Sequence, residues 1–274
     1  MINLERSTTK VQTVFDASVK KNGLSLNDTI NAGPKLQNDL FCILVRFRKE
    51  KIAVVGDISE MYLQIKIHNE DRKFFRFLWR NGDTSKQPKT FEFSRVVFGI
   101  TCSPFLAQFV SKFNAKLHKN QFQLAAETIQ ESTYVDDVLD SVDSEEKAIL
   151  LCKQLIQMWD LANMTIRKWI SNSPKVLEMV PPEKRAIEVD LSKELPTTKT
   201  LGLTWNAEKY IFQFKAKVFP GKYTKREFLR YVSSIFDPLG FLTPVIFKAK
   251  VLIQEMWIDK YDWDEPFSDD LKTK

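Results

Sequence analysis

Tyr134-Val135-Asp136-Asp137 sets two adjacent carboxylates inside an otherwise apolar run, Ser132 to Ser141. Neighbouring side chains of a strand point to opposite faces, so two adjacent Asp serve one site only where the chain turns. A two-residue Asp136-Asp137 loop between apolar runs reads as a tight hairpin tip. Two like charges there repel by roughly 4 kcal/mol at about 4 Å in a medium of effective dielectric near 20. A divalent cation removes that cost. Asp57 closes a second apolar run, Ile52 to Gly56, and a carboxylate at a central strand end is costly unless paired or metal-bound. Together the three acids suit two Mg²⁺ ions about 4 Å apart, one lowering the pKa of an attacking hydroxyl and the other stabilising the leaving oxygen of a phosphoryl transfer. The same spacing also allows surface turn acids and a strand-end cap. Asp140 and Asp143 stand near enough in sequence to belong to either arrangement.

Composition narrows the class. The chain has 274 residues, 43% hydrophobic, which suits about two globular domains. A net charge of +6 is compatible with a polyanionic partner without requiring one. Cys42, Cys102 and Cys152 are dispersed, no CxxC pair exists, and His68 and His118 are the only histidines. That pattern opposes a zinc site or a disulfide framework and reads as buried small hydrophobes of an intracellular, unsecreted protein. No apolar run reaches membrane-spanning length and no signal peptide opens the chain, so the sequons at Asn27 and Asn163 read as chance.

The elements that must position the acids follow from periodicity. Residues 9–18, 62–67 and 73–79 read as strands, as does the stretch after the Asn81-Gly82-Asp83 turn through Val97. Pro34 reads as a helix start, with Leu36, Leu40, Phe41, Leu44 and Phe47 on one face. Ser103-Pro104 reads as N-cap and first helical residue, with Leu106, Phe109, Val110, Phe113 and Leu117 as the buried stripe. Ser144 opens a helix with Ala148, Leu151, Cys152, Leu155 and Trp159 inward. Strands around 164–170 and 200–205 follow, with a charged loop over 181–199 between them. The expected fold is α+β, an antiparallel sheet with helices on one face. A helical region ends the chain. Thr224 and Glu227 form its capping box, the helix runs to Phe236, and a second helix from Thr243 turns Val245, Ala249, Leu252, Ile253 and Met256 inward. Lys215, Lys217, Lys222, Lys225 and Arg226 give that region a basic approach.

Five motifs in order carry a family resemblance. Asp57-Ile58-Ser59-Glu60-Met61-Tyr62 resembles the first palm motif of reverse transcriptases. Phe98-Gly99-Ile100-Thr101-Cys102-Ser103-Pro104 resembles the segment before the palm helix, and Tyr134 to Asp137 the polymerase signature. Asn163 to Trp169 and Leu201-Gly202-Leu203-Thr204-Trp205 are similar to the next palm motif and the primer grip. Phe15-Asp16-Ala17-Ser18, Ser25 to Asp28, Pro34 to Leu40, Arg167 to Asn172 and Phe236 to Pro244 resemble the BEL/Pao long-terminal-repeat retrotransposons more narrowly, over about residues 10–265.

The resemblance implies fingers at 1–33 and 65–102, palm at 34–64 and 103–214, and a thumb- or connection-like helical region at 215–274. This last part is similar to a segment known as the Pao retrotransposon peptidase, although no Asp-Thr/Ser-Gly triplet occurs in it. It implies an RNA-directed DNA polymerase that uses two Mg²⁺, with Mn²⁺ as a substitute. The ligands are Asp57, Asp136 and Asp137, with the Ile58 carbonyl. Lys10, Tyr62, Phe98, Gly99 and Lys168 contact the nucleotide, Tyr62 as the sugar gate and Lys168 as proton donor to pyrophosphate. Leu201, Gly202 and Trp205 grip the primer. The implied partners are an RNA or DNA template with primer, dNTPs and the remainder of a pol polyprotein, with no membrane. The implied setting is the cytoplasm or a virus-like particle. The pattern departs at Gln12, where the family has Arg four residues before Asp16, and at Glu60, where the lineage commonly has Lys. No ribonuclease H segment is recognisable. A decayed remnant that only binds nucleic acid, and an aspartic peptidase, stand as alternatives.

Overall fold

The structure, a computed structural model, describes residues 13–214 and 223–273. The chain divides into two compact units, Met1–Val189 and Asp190–Lys274.

The first unit opens with α1 (Leu26–Thr29), closed by a reciprocal capping box between Ser25 and Asp28. Next comes α2 (Leu40–Phe47), which starts six residues later than Pro34 suggested. Asp39 is its N-cap, accepting from the Cys42 N–H. It buries Ile43, Leu44 and Phe47, whereas Cys42 is exposed, against the expectation that the cysteines are buried. β1 (Ile52–Ile58) leads to α3 (Met61–Gln64), a short helix where 62–67 read as a strand. β2 (Arg76–Trp79) and β3 (Lys89–Glu92) make a separate two-stranded hairpin. Both are shorter than their apolar runs, and of the expected strand over residues 9–18 the described part forms only a bridge, Val14 to Phe98.

α4 (Ser103–Leu117) departs from its expected orientation. Its buried residues are Ser103, Ala107, Gln108, Ser111 and Ala115, while Phe109 and Phe113 are 49% and 57% exposed. The fully buried stripe is the small-residue face; of the expected stripe, Leu106 and Val110 pack part-buried against the core, while Phe109, Phe113 and Leu117 lie outward. Ser103 is not a cap, because its hydroxyl donates to the Val97 carbonyl at 2.7 Å. α5 (Gln123–Glu131) lacks a capping side chain and was not legible in the sequence. β4 (Thr133–Tyr134), β5 (Asp137–Val142), α6 (Glu145–Leu161), β6 (Ile166–Ser171) and α7 (Pro174–Glu178) complete the unit. α6 buries the expected stripe and is capped by Ser144.

The main sheet is antiparallel in the order β4-β5-β1-β6. Its helices are not confined to one face. Asp140 bonds Thr128 of α5, while its neighbour Ser141 bonds the Arg46 carbonyl at the end of α2. Adjacent strand residues face opposite ways, so α5 and α2 lie on opposite faces.

In the second unit, β7 (Thr197–Thr200), β8 (Leu203–Asn206) and β9 (Ile211–Gln213) form an antiparallel meander. These strands fall in the second unit. α8 (Lys225–Ser233) starts at the Thr224 cap and ends before Phe236, and α9 (Thr243–Ile258) buries Met256 but leaves Val245 exposed. α10 (Asp269–Thr273) follows. The basic approach is partly spent inside this unit. Lys225 is 4% exposed, hydrogen-bonded to the Tyr261 carbonyl, with Nζ 4.0 Å from the Trp257 ring centre. Arg226 is paired to both oxygens of Asp264. Lys215, Lys217 and Lys222 lie outside the described residues. No helix among the described residues is long and apolar enough to cross a membrane.

Candidate active site

Register brings the acids together. β1 and β5 pair from Ile52–Val142 to Asp57–Asp137, which sets those two Asp directly opposite. The turn is not the expected Asp136-Asp137 pair. Tyr134 pairs with Asp137, so Val135 and Asp136 are the loop and Asp137 is the first residue of β5. Val135 has φ +56, a conformation that a β-branched residue adopts only under strain. The Ile58 N–H donates to the Asp136 carbonyl at 2.8 Å, tying the loop to β1.

Electrostatics mark the cluster. Burial, followed by the charges of Asp136 and Asp57, pushes the Asp137 carboxyl up to about 7, with Lys168 opposing. Asp57 is engaged by two cations, Lys168 Nζ at 3.1 Å and Arg167 Nε at 3.9 Å. Consecutive strand residues do not normally share a target. Here β6 carries a bulge opposite Gly56, with Lys168 at φ +55, and the extra residue re-aims the side chain. Arg167 is a site neighbour that the sequence reading missed. Among the described residues, no three His, Cys, Asp or Glu side chains are placed to hold a metal ion as they stand. The donor set nevertheless fits one: three carboxylates at one strand pair, with mutual repulsion that only a cation relieves and a lysine ammonium against Asp57.

Asp140 and Asp143 do not join them. Asp140 lies on the other sheet face, accepting from Thr128 Oγ1 at 2.5 Å and the Ser141 N–H at 2.9 Å, and Asp143 pairs with Lys147 at 3.0 Å.

Tyr62, on α3, stacks on Phe98 with ring centres 4.6 Å apart. Burial and the Asp136 charge raise its phenol pKa, which places it beside the acids. Gly99 has φ +99, and a Cβ there would fall 1.9 Å from the Phe15 carbonyl oxygen, so only glycine fits. Asn27 pins this loop from both sides, donating to the Gly99 carbonyl and accepting from the Thr101 N–H, each at 3.0 Å. Asn27 is thus a structural residue of the loop. Asn38 similarly holds the acid hairpin, donating to the Thr133 carbonyl while accepting from Lys112. A groove of about 180 Å³ runs beside Val135 between Gln37, Pro104 and Phe105. Gln108 lines it, buried, with its Nε2 donor lacking a protein partner.

Lys10 and Gln12 lie outside the described residues. Leu201 and Gly202, at φ +47 and +85, form the turn between β7 and β8 in the second unit, where Phe236 packs over Gly202. Trp205 is fully buried on β8 and offers no surface to a primer.

Two family matches complete the picture. Residues 224–274 match the Pao retrotransposon-like RNaseH-like domain. This corrects the expectation that no ribonuclease H-related segment is present, and gives that region an affiliation other than the peptidase one. No curated protein matches the chain. Residues 8–169, more than half of the chain, match the reverse transcriptase (RNA-dependent DNA polymerase) family. The chain therefore belongs to the reverse transcriptase family, as an RNA-directed DNA polymerase of the Pao/BEL retrotransposon lineage.

Proposed function

We infer that the protein adds dNTPs to a primer 3′-hydroxyl under the direction of an RNA or DNA template, with Asp57, Asp136 and Asp137 holding the divalent cations that reverse transcriptases generally use. The observation that carries this reading is the Asp57–Asp137 pairing, where burial, followed by the neighbouring carboxylates, raises the Asp137 carboxyl to about 7. Two Mg²⁺, or Mn²⁺ in their place, would supply neutralisation of the triphosphate and a lowered pKa for the attacking hydroxyl. The Ile58 carbonyl would be the remaining ligand.

The chain's own residues do the rest. Tyr62, braced by Phe98, stands beside the acids as the wall that a ribose 2′-hydroxyl would meet. The Phe98-Gly99 loop, held by Asn27, shapes the nucleotide's seat. Lys168 reaches the acids across the bulge and suits a proton donor for departing pyrophosphate. The orphaned Gln108 amide and the groove beside Val135 suit the template strand. Residues 1–33 and 65–102 then serve as fingers, 34–64 and 103–214 as palm, and 215–274 as thumb or connection. The Leu201-Gly202 turn steadies the primer, with Trp205 supporting it from within.

One observation favours the alternative of a non-catalytic nucleic-acid-binding remnant: Asp57 is committed to Lys168 and Arg167. Against it, the basic helices that such a remnant would use have spent Lys225 and Arg226 on internal partners.

Primer extension on an RNA template with Mg²⁺ separates the two. Extension by the wild type, abolished in Asp136→Asn with template–primer binding retained, is the expected result. A wild type that binds template–primer without extending it contradicts the polymerase reading.

A further inference from the structure

The β2–β3 hairpin carries more aromatic surface than its own packing uses. Its register pairs Phe77 with Phe91 and Trp79 with Lys89. Those four side chains share one face, because residues two apart on a strand point the same way. Phe93 extends the face at its base, and the rings form a ladder: Phe77–Phe91 at 5.9 Å, Phe77–Phe93 at 4.7 Å and Phe93–Phe15 at 6.0 Å. Trp79 is 54% exposed and Phe91 44%. A cleft of about 490 Å³ opens over the rings.

Two further features limit what could occupy it. From Arg72 to Glu92 there are six Lys or Arg against two acids, Asp83 and Glu92. Each of those acids is already paired, Asp83 with Lys86 and Glu92 with Arg76. Lys89, opposite Trp79 on the ring face, and Arg80, just beyond it, are left to meet an outside anion. The ladder also continues inward toward the acids. The Phe15 N–H bonds the Phe98 carbonyl at 2.8 Å, and the Phe98 ring lies on Tyr62 beside Asp136.

Exposed rings at stacking distance, flanked by free cations, are the recognition chemistry of single-stranded nucleic acid: each base offers a π-face and each phosphate a charge. An apolar protein surface would match the rings but not the cations. We propose that the ring face of β2–β3 is a stacking platform for the unpaired template bases that have yet to enter the active site. Trp79 and Phe91 act as base platforms, and Lys89 and Arg80 as phosphate contacts. Asp16, on the inner wall of the cleft, presents an acceptor to exocyclic amino groups and bars phosphate from that side, which orients the strand bases-inward. This deepens the polymerase reading, from which it takes the identity of the strand, but its test does not depend on catalysis.

The test compares binding of the full chain to two primer–templates, one blunt and one with an unpaired 5′ oligo-C overhang, by fluorescence anisotropy at fixed salt. The expected result is that Trp79→Ala with Phe91→Ala weakens binding to the overhang form about tenfold or more. Blunt-duplex binding stays within twofold, and Trp79→Phe with Phe91→Tyr restores the overhang affinity. Lys89→Ala is expected to lower the slope of log affinity against log salt by about one on the overhang form only. Equal losses on both substrates, or no loss on either, overturn the proposal. So does self-association that the alanine pair abolishes while overhang affinity stays unchanged, since the face would then be a protein contact. A wild type that never extends a primer but shows the overhang effect would overturn the polymerase reading and leave this one standing.

Discussion

Two aspartates three residues apart on β5 are both pushed toward the neutral form by burial, yet their surroundings differ in kind. Asp140 accepts from Thr128 and from the Ser141 N–H and lies near Arg46. Asp137, on the other face, has Asp136 and Asp57 as its charged neighbours, with only Lys168 in opposition. Asp140 has its donors supplied by the fold, and a carboxylate so satisfied is a structural group. Asp137 is left with repulsion that Lys168 offsets only in part, which is the condition of an acid awaiting a cation or a substrate. The contrast separates a site residue from a buried structural residue without reference to any motif.

The largest expected effect breaks the pair apart. Asp137→Asn should cost about three orders of magnitude in single-turnover extension, on the scale of losing several kcal/mol of metal-borne stabilisation. Asp140→Asn should leave the rate of the folded fraction within about tenfold. Similar losses at both positions would remove the distinction.

The pH dependence of stability comes next. Asp137 has a folded pKa of about 7 against an ordinary 3.8, so the folded state binds more protons between those values. Stability of the metal-free protein should fall as pH rises through that window and flatten above it. The ceiling is about 4 kcal/mol, from roughly three pH units at about 1.4 kcal/mol each. Asp137→Asn should remove most of that slope, leaving the smaller part of the same sign that Asp140 contributes. Saturating Mg²⁺ should restore wild-type stability at pH 8 by mass action. Urea midpoints across pH 4.5 to 8 provide the check, and a wild-type slope that matches Asp137→Asn would refute the assignment.

Thr128→Val tests the opposite face. It strips the hydroxyl from Asp140 and should cost about 1–3 kcal/mol in denaturant unfolding, with extension by the folded fraction unchanged. The smallest effect belongs to the turn between the two faces. Val135→Gly should gain about 1 kcal/mol by relieving a β-branched residue at positive φ.

The acids of the site were legible in the sequence, because Asp57, Asp136 and Asp137 interrupt apolar runs that could be read as strands. Their turn was misplaced by one residue. Nothing in a valine announces a left-handed conformation, and the register that imposes it belongs to β1 and β5 together. The α4 stripe was legible only in part, since Leu106 and Val110 pack on the core but Phe109, Phe113 and Leu117 do not. Large apolar residues dominate a hydropathy pattern, whereas the buried face here is Ala107, Ser111 and Ala115. α5 escaped because Phe122 supplies no cap, and its first turn is instead completed by Gln154 of α6, whose side-chain oxygen accepts from the Ala125 N–H. Asn27, Asn38 and Arg167 became site neighbours only through contacts between residues distant in sequence.

The central claim is that the Asp137 face of β5 is a cation site and the Asp140 face is not. Mn²⁺ binding to the template-free protein at pH 7.5, followed by the loss of the free-ion paramagnetic resonance signal, tests it most directly. Wild type and Asp140→Asn should bind with equal affinity, and Asp137→Asn at least tenfold more weakly. Equal binding by wild type and Asp137→Asn, or loss of binding in Asp140→Asn alone, would contradict it.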